Sequence, residues 1–235
     1  MLSKLTRTGP TKVSVRELND GVKRAGRVSL RDYAYEEIKR RIIICEFKPG
    51  SPMNEAYVSD VLGTGRTPVH QAMLRLSFEG MVEILPRKGV LVKPVSFDEV
   101  MQIIDVRLLL ETDCARTAAK RARKRDIASL RKVLRTAEKW VETRETEQIM
   151  LLDREFHFLL ARISRNPVLT DLLTKLHERS LRFWFISLNQ PRHHLRVQEQ
   201  HTKIVDAIED GNADKAELAM REHIQSTREN ISRRL

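Results

Sequence analysis

Between Phe47 and Val92 the chain sets out a fixed series of stops and turns that few folds can satisfy. Phe47-Lys48-Pro49-Gly50 ends a helix, because Pro49 lacks an amide donor and Gly50 accepts positive φ. Asn54 to Leu62 reads as a short helix closed by Gly63, Thr64-Gly65 is a tight turn, and Arg66 to Leu76 opens a second helix that Gly80 ends. Val82-Glu83-Ile84-Leu85 and Val90-Leu91-Val92 flank Pro86-Arg87-Lys88-Gly89, the pattern of a small hairpin with a basic tip. An earlier helix is expected from Ser29 to Cys45, with Tyr33, Ile38 and Ile42 on its apolar face. Two short helices at a tight turn, with a basic hairpin behind them, are the parts of a winged helix-turn-helix. Such a unit lays one helix in the major groove and its wing against the backbone.

The charge follows the same division. The formal net charge is +11, with 17 Lys and Arg against 10 Asp and Glu over 1–94, and 26 against 22 over the rest. The excess sits where phosphate contact is expected. Residues 1–29 are polar and basic and read as a flexible arm. No apolar run approaches the ~20 residues that span a bilayer, and Met1-Leu2-Ser3-Lys4-Leu5-Thr6-Arg7 has no apolar segment of a secretory leader. A cytoplasmic protein is expected, with Cys45 and Cys114 as buried thiols.

Phe47-Lys48-Pro49-Gly50, Arg66-Thr67-Pro68-Val69 and Gly80-Met81-Val82 leading to Gly89 resemble the GntR family of bacterial transcription regulators over Tyr33 to Pro94. The chain departs from the family at Ala56, Gly65, His70 and Gln71. The resemblance implies double-stranded DNA as a partner, with Arg66, Thr67 and His70 on the reading helix and Arg87, Lys88 and Gly89 in the wing.

Val92-Lys93-Pro94-Val95 reads as a linker, after which Ser96 and Glu99 form an expected capping box. From there to Leu235 no strand pattern appears. Breaks near Lys124, Thr143, Asn166-Pro167, Gln190-Pro191 and Gly211-Asn212 leave about six helices. The chain is therefore expected to be mainly α: an arm over 1–29, a winged unit over 30–94 and an all-helical bundle over 96–235.

Inside that bundle, Asp153 and His157 are i,i+4 and share a face with Met150, Leu160 and Ala161. His201 shares a face with Ile204, Val205 and Ile208, and His223 one with Ala216 and Met220. Three imidazoles and a carboxylate on core faces are costly to bury unless they pair or bind something. The set suits a divalent metal: zinc first, with nickel, manganese or iron as alternatives. His177, His193 and His194 read as ordinary core or surface residues. Arg107 falls in the inward stripe Val100, Ile103 or Ile104, Leu110, Cys114 and Ala118, where either Glu111 or a bound carboxylate would satisfy it.

The same positions resemble the FCD effector domain of FadR-type GntR regulators, over about Ser96 to Ile231. That resemblance implies metal ligation by Asp153, His157, His201 and His223. It also favours a small carboxylate effector held by Arg107; Asn166, just ahead of the next helix, is expected as a further donor to it. The function expected is a dimeric, effector-responsive regulator, a repressor, reading a near-palindromic operator. The alternative from another class is a metal-dependent hydrolase or oxygenase using the same ligands. It lacks an evident general base, so no enzyme is expected. A helical scaffold with unused histidines is the third possibility, and it predicts no bound metal.

Overall fold

The structure, a computed structural model, describes residues 29–187 and 191–233. The arm expected over 1–29 lies, apart from Ser29, outside the described residues. Helix α1 (Leu30–Ile43) starts at Ser29, whose Oγ accepts from the Asp32 amide at 3.1 Å. Its core face is Ala34, Tyr35, Ile38 and Ile42, with Tyr33 only partly buried against it.

Cys45 corrects the expectation of a buried thiol. It stands past the end of α1 with φ 57°, which turns it half out to solvent, whereas Cys114 is fully buried. Burial pushes the Cys114 thiol up to about 12.

Helix α2 (Glu55–Leu62) is capped by Asn54, whose Oδ1 accepts from the amides of Ala56 and Tyr57 at 2.8 and 3.2 Å. Gly63 closes it with φ 61°, a conformation that favours glycine. Helix α3 (Arg66–Phe78) begins without a side-chain cap. A strand that periodicity did not reveal, β1 (Pro52–Met53), joins β2 (Val82–Leu85) and β3 (Gly89–Val92) in an antiparallel sheet of order β1-β3-β2. Two residues are too few to display alternation, so β1 exists only through its pairing with β3 at Pro52–Leu91 and Met53–Val90.

Six helices follow: α4 (Phe97–Arg121), α5 (Lys124–Thr143), α6 (Thr146–Ile163), α7 (Pro167–Ser187), α8 (Pro191–Glu209) and α9 (Ala213–Ser232). The chain is mainly α, a winged helix-turn-helix followed by a helical bundle, as expected. Helix α9 packs along α4 and α8, while α6 packs on α5 and α7. Among the described residues, no helix is long and apolar enough to cross a membrane.

Only half of the capping box at α4 forms. Ser96 Oγ accepts from the Glu99 amide at 3.4 Å, but the Glu99 carboxylate turns instead to the Arg179 guanidinium of α7. A charge-assisted bond outweighs one to a neutral amide.

The two halves are in direct contact. Helix α1 lies on α7. Arg182 of α7, itself buried, donates from Nη1 to the Lys93 carbonyl at 2.8 Å and so fastens the segment between the halves.

Candidate functional site

The bundle brings Asp153 and His157 of α6, His201 of α8 and His223 of α9 to one buried place. Asp153 Oδ1 lies 3.9 Å from His157 Nε2 and 3.6 Å from His201 Nε2. His201 Nε2 and His223 Nε2 are 3.3 Å apart. Ligand atoms of the three histidines lie within 4.8 Å of one another. Donors about 2.0–2.1 Å from a zinc ion stand roughly 3.3 Å apart in tetrahedral geometry, so these separations fit a single divalent ion.

The outer contacts fix which nitrogen of each ring faces inward. His157 Nδ1 meets the Glu111 carboxylate of α4, which leaves His157 Nε2 buried and without a hydrogen-bond partner. His223 Nδ1 meets Gln200 Oε1, the accepting end of that amide, at 3.1 Å, which places the proton on Nδ1 and leaves the Nε2 lone pair inward. Phe156 stacks on the His201 ring with centroids 3.9 Å apart and sets its plane. Imidazoles oriented by an acceptor on the far nitrogen are the usual outer shell of a metal site. Glu111 was expected only as a partner for Arg107, and Gln200 was not expected at all.

Burial also sets the protonation. It pushes His177 and His201 down to about 3, and His223 well below the usual imidazole range with the neighbouring His201 and His157 adding to the effect. At Asp153 burial opposes ionisation, but His177, His157 and His201 outweigh it and hold the carboxyl well below the usual carboxylate range. Neutral imidazoles and a carboxylate are the forms that bind a divalent ion.

His177, expected as an ordinary core or surface residue, is a core residue that stands beside Asp153. It is buried on α7, its Nε2 is 3.2 Å from Asp153 Oδ2, and its Nδ1 has no hydrogen-bond partner. Asp153, His157 and His177 form a second group of donors that overlaps the first. The inward spacing Leu173, His177, Leu181, four residues apart with both leucines buried, is the signal that could have found it. His194 is buried as well and lines the adjoining cavity, with His193 partly exposed beside it.

That cavity, ≈ 40 Å³, is floored by Asp153, His201 and His223 and walled by Val133, Leu134, Met150 and Trp184. Arg107 is fully buried and gives its Nε to Glu111 Oε1 at 2.5 Å. Its Nη1 and Nη2 have no partner, and its guanidinium lies over the Trp184 ring, 4.6 Å from the centroid. The pairing with Glu111 is thus present, and Arg107 itself is not among the residues that line the cavity.

Asn166 is a correction. It is exposed, does not line this cavity, and its Oδ1 accepts from the Leu169 amide at 3.1 Å in the first turn of α7. An N-terminal cap is what an Asn just ahead of a helix does.

In the winged half, Arg66 and Thr67 occupy the first two positions of α3 and are exposed. His70, one turn on, is exposed with its Nδ1 2.8 Å from Glu55 Oε1 of α2. Arg87 and Lys88 are exposed in the turn between β2 and β3, where Arg87 and Gly89 take φ 63° and 96°. The Lys88 amide closes that turn on the Leu85 carbonyl at 3.0 Å.

Known proteins carry both halves. Residues 30–92 match the model of the bacterial regulatory proteins, gntR family, and residues 102–226 match the FCD domain. The HTH-type transcriptional repressor RspR of Escherichia coli strain K12 is 27% identical over 197 residues, covering 84% of this chain and 86% of its own length. The Nta operon transcriptional regulator of Aminobacter aminovorans is 30% identical over 181 residues, covering 76% and 83%. The structure of E. coli McbR/YncC superposes with a TM-score of 0.79 at 22% identity, covering 88% of this chain and 99% of its own, a likeness of fold. These relatives are regulators or share the regulator fold, and the hydrolase or oxygenase alternative gains no support from them.

Proposed function

We propose, because this chain belongs to the GntR family of bacterial regulatory proteins, that its helical half senses a small carboxylate through a divalent ion and thereby sets the operator affinity of its winged half. The chain is a DNA-binding transcription regulator; the ion, the effector and the direction of control are what this proposal adds. One observation carries it. His157, His201 and His223 hold donor atoms within 4.8 Å of one another, Asp153 Oδ1 stands 3.9 and 3.6 Å from two of them, and Glu111 and Gln200 meet the outer nitrogens of two of the rings.

A bound ion, zinc first by the donor set, would supply a concentrated positive charge that attracts a carboxylate. Arg107 offers two unpartnered donors in the fork geometry that suits a carboxylate. Trp184 joins that guanidinium to the cavity wall. The cavity's small volume favours an acid of few carbons, and its apolar wall of α5 exchanges water for side chain around the effector's tail.

On the DNA side, Arg66 and Thr67 open α3 with no side-chain cap over its first amides, an arrangement that accepts a backbone phosphate. His70 reaches a base only by leaving Glu55. Arg87, Lys88 and Gly89 form the wing. A cytoplasmic homodimer reading a near-palindromic operator completes the proposal, since two copies of one winged unit match two half-sites. Repression is the expected sign, after the name of RspR.

The test is a thermal-shift screen of small carboxylates on zinc-loaded and chelator-treated protein. Stabilisation by an acid only in the loaded form supports the proposal. Equal stabilisation in both forms removes the ion from effector binding.

A further inference from the structure

Two neighbouring residues on α6 face two neighbouring residues on α7, and the pairs meet twice. Asp153 approaches His177, Oδ2 to Nε2 at 3.2 Å, on the side of the candidate metal site. Arg154, the next residue, binds Glu178, the next residue, with Nε to Oε1 at 2.8 Å and Nη2 on the same oxygen. The other Glu178 oxygen takes Lys39 Nζ of α1 at 2.6 Å, and Lys39 also reaches Glu79 Oε2 at 3.0 Å. Glu79 caps the C-terminal end of α3 and accepts the Tyr35 hydroxyl at 2.7 Å, with Arg75 of α3 stacked over the Tyr35 ring.

A run of polar contacts thus leads from Arg154 through Glu178 and Lys39 to Glu79 at the foot of the reading helix, and chain adjacency at 153–154 and 177–178 ties it to a candidate metal ligand. Lys39 and Glu178 are nearly inaccessible to solvent, at 5% and 2% exposure. Two cations and two carboxylates alternate along it, and the buried inner pair, Glu178 and Lys39, each hold two partners of opposite charge, one on either side. Separating α1 from α7 would part Lys39 from Glu178 and cost one buried ion pair.

We propose that this double rung, 153–154 against 177–178, couples occupancy of the metal site to the position of the winged half through Lys39 and Glu79. The inference rests on the metal reading given above. An ion drawing Asp153 inward alters its contact with His177, and because Arg154 and Glu178 are the adjacent residues on rigid helices, the outer rung moves with the inner one. Lys39 then carries the shift to α1 and to the end of α3. A second cross-contact, Arg40 Nη1 to Glu147 Oε1 at 2.5 Å, is about one-third exposed on both partners and touches neither rung. It serves as the control.

The experiment is hydrogen–deuterium exchange on full-length, chelator-treated protein before and after addition of zinc chloride, with bound zinc measured in each sample. In the natural protein, zinc slows exchange in α6 and α7 and changes it in α1 and α3 by on the order of fivefold, the low end of ordinary coupling. Lys39→Met and Glu178→Gln still take up zinc and keep the change in α6 and α7, but lose it in α1 and α3, while Arg40→Gln behaves as the natural protein. Full transmission in both rung variants overturns the inference, as does zinc uptake that leaves α1 and α3 of the natural protein unchanged. An equal loss in Arg40→Gln overturns it too, because any contact between the halves would then serve. Absence of zinc uptake by the natural protein overturns the metal reading, and this inference with it.

Discussion

Glu111 holds His157 from behind: its carboxylate meets the imidazole Nδ1 across 46 residues of sequence and turns Nε2 toward Asp153 and His201. The other Glu111 oxygen takes Arg107 Nε. A single carboxylate therefore orients one candidate metal ligand and anchors one candidate effector ligand. Its own carboxyl is buried, which alone would raise it, but Arg107 and His157 hold it well below the usual range.

Glu111→Gln keeps the shape and removes the charge, so zinc affinity is expected to fall by about 10–100-fold, the usual effect of an outer partner. Competition with a chelator of known affinity measures it. An unchanged affinity would mean that His157 does not need Glu111 to face the ion.

His201→Ala removes a central donor. At a zinc concentration about a hundredfold over Kd, the natural protein should gain about 2.7 kcal/mol of stability, and the variant close to none. Denaturant unfolding with and without zinc reads this difference. Equal gains in the two proteins would place the ion elsewhere.

The metal-stripped protein should weaken in acid within a defined window. His177 and His201 are pushed down to about 3 by burial and His223 lies well below its usual value, while the unfolded chain titrates at 6.5. Between these values the unfolded chain binds protons that the folded chain does not. Stability is therefore complete above about pH 6.5 and falls as pH drops toward about 3, by up to about 1.4 kcal/mol per pH unit for each histidine. Denaturant midpoints that stay level from about pH 7 to about pH 5 would show that these imidazoles are not held neutral.

Arg66→Ala should cost roughly 1–3 kcal/mol of binding if Arg66 contacts a base edge. A duplex selected from a random pool by the natural protein is the probe. Unchanged affinity for that duplex would take Arg66 off the reading surface.

Lys88→Ala acts differently, because a wing lysine on phosphate adds affinity without sequence preference. Binding should weaken by a similar factor on all duplexes, and the slope of log affinity against log salt should shrink by about one. A loss confined to the selected duplex would indicate that the wing reads bases.

Much of this protein was legible in its sequence. Asn54, Gly63 and Gly80 punctuate the winged half through bonds made within a few residues, so their effect is written locally. The four ligand candidates were legible because helical spacing decides which side chains share a face with buried leucine, isoleucine and methionine, and Asp153, His157, His201 and His223 are where that spacing places them. What tertiary structure decided is every contact whose partners lie far apart in the chain. His177 became a neighbour of Asp153 only when α7 was laid against α6. Strand β1 exists only because β3 lies beside it. Lys39 meets Glu178 across 139 residues, and no spacing rule spans that interval. The physical reason is common to all of these. Periodicity and capping fix which way a side chain faces, but the cost of burying a charge without a partner is settled only when helices distant in sequence are brought together.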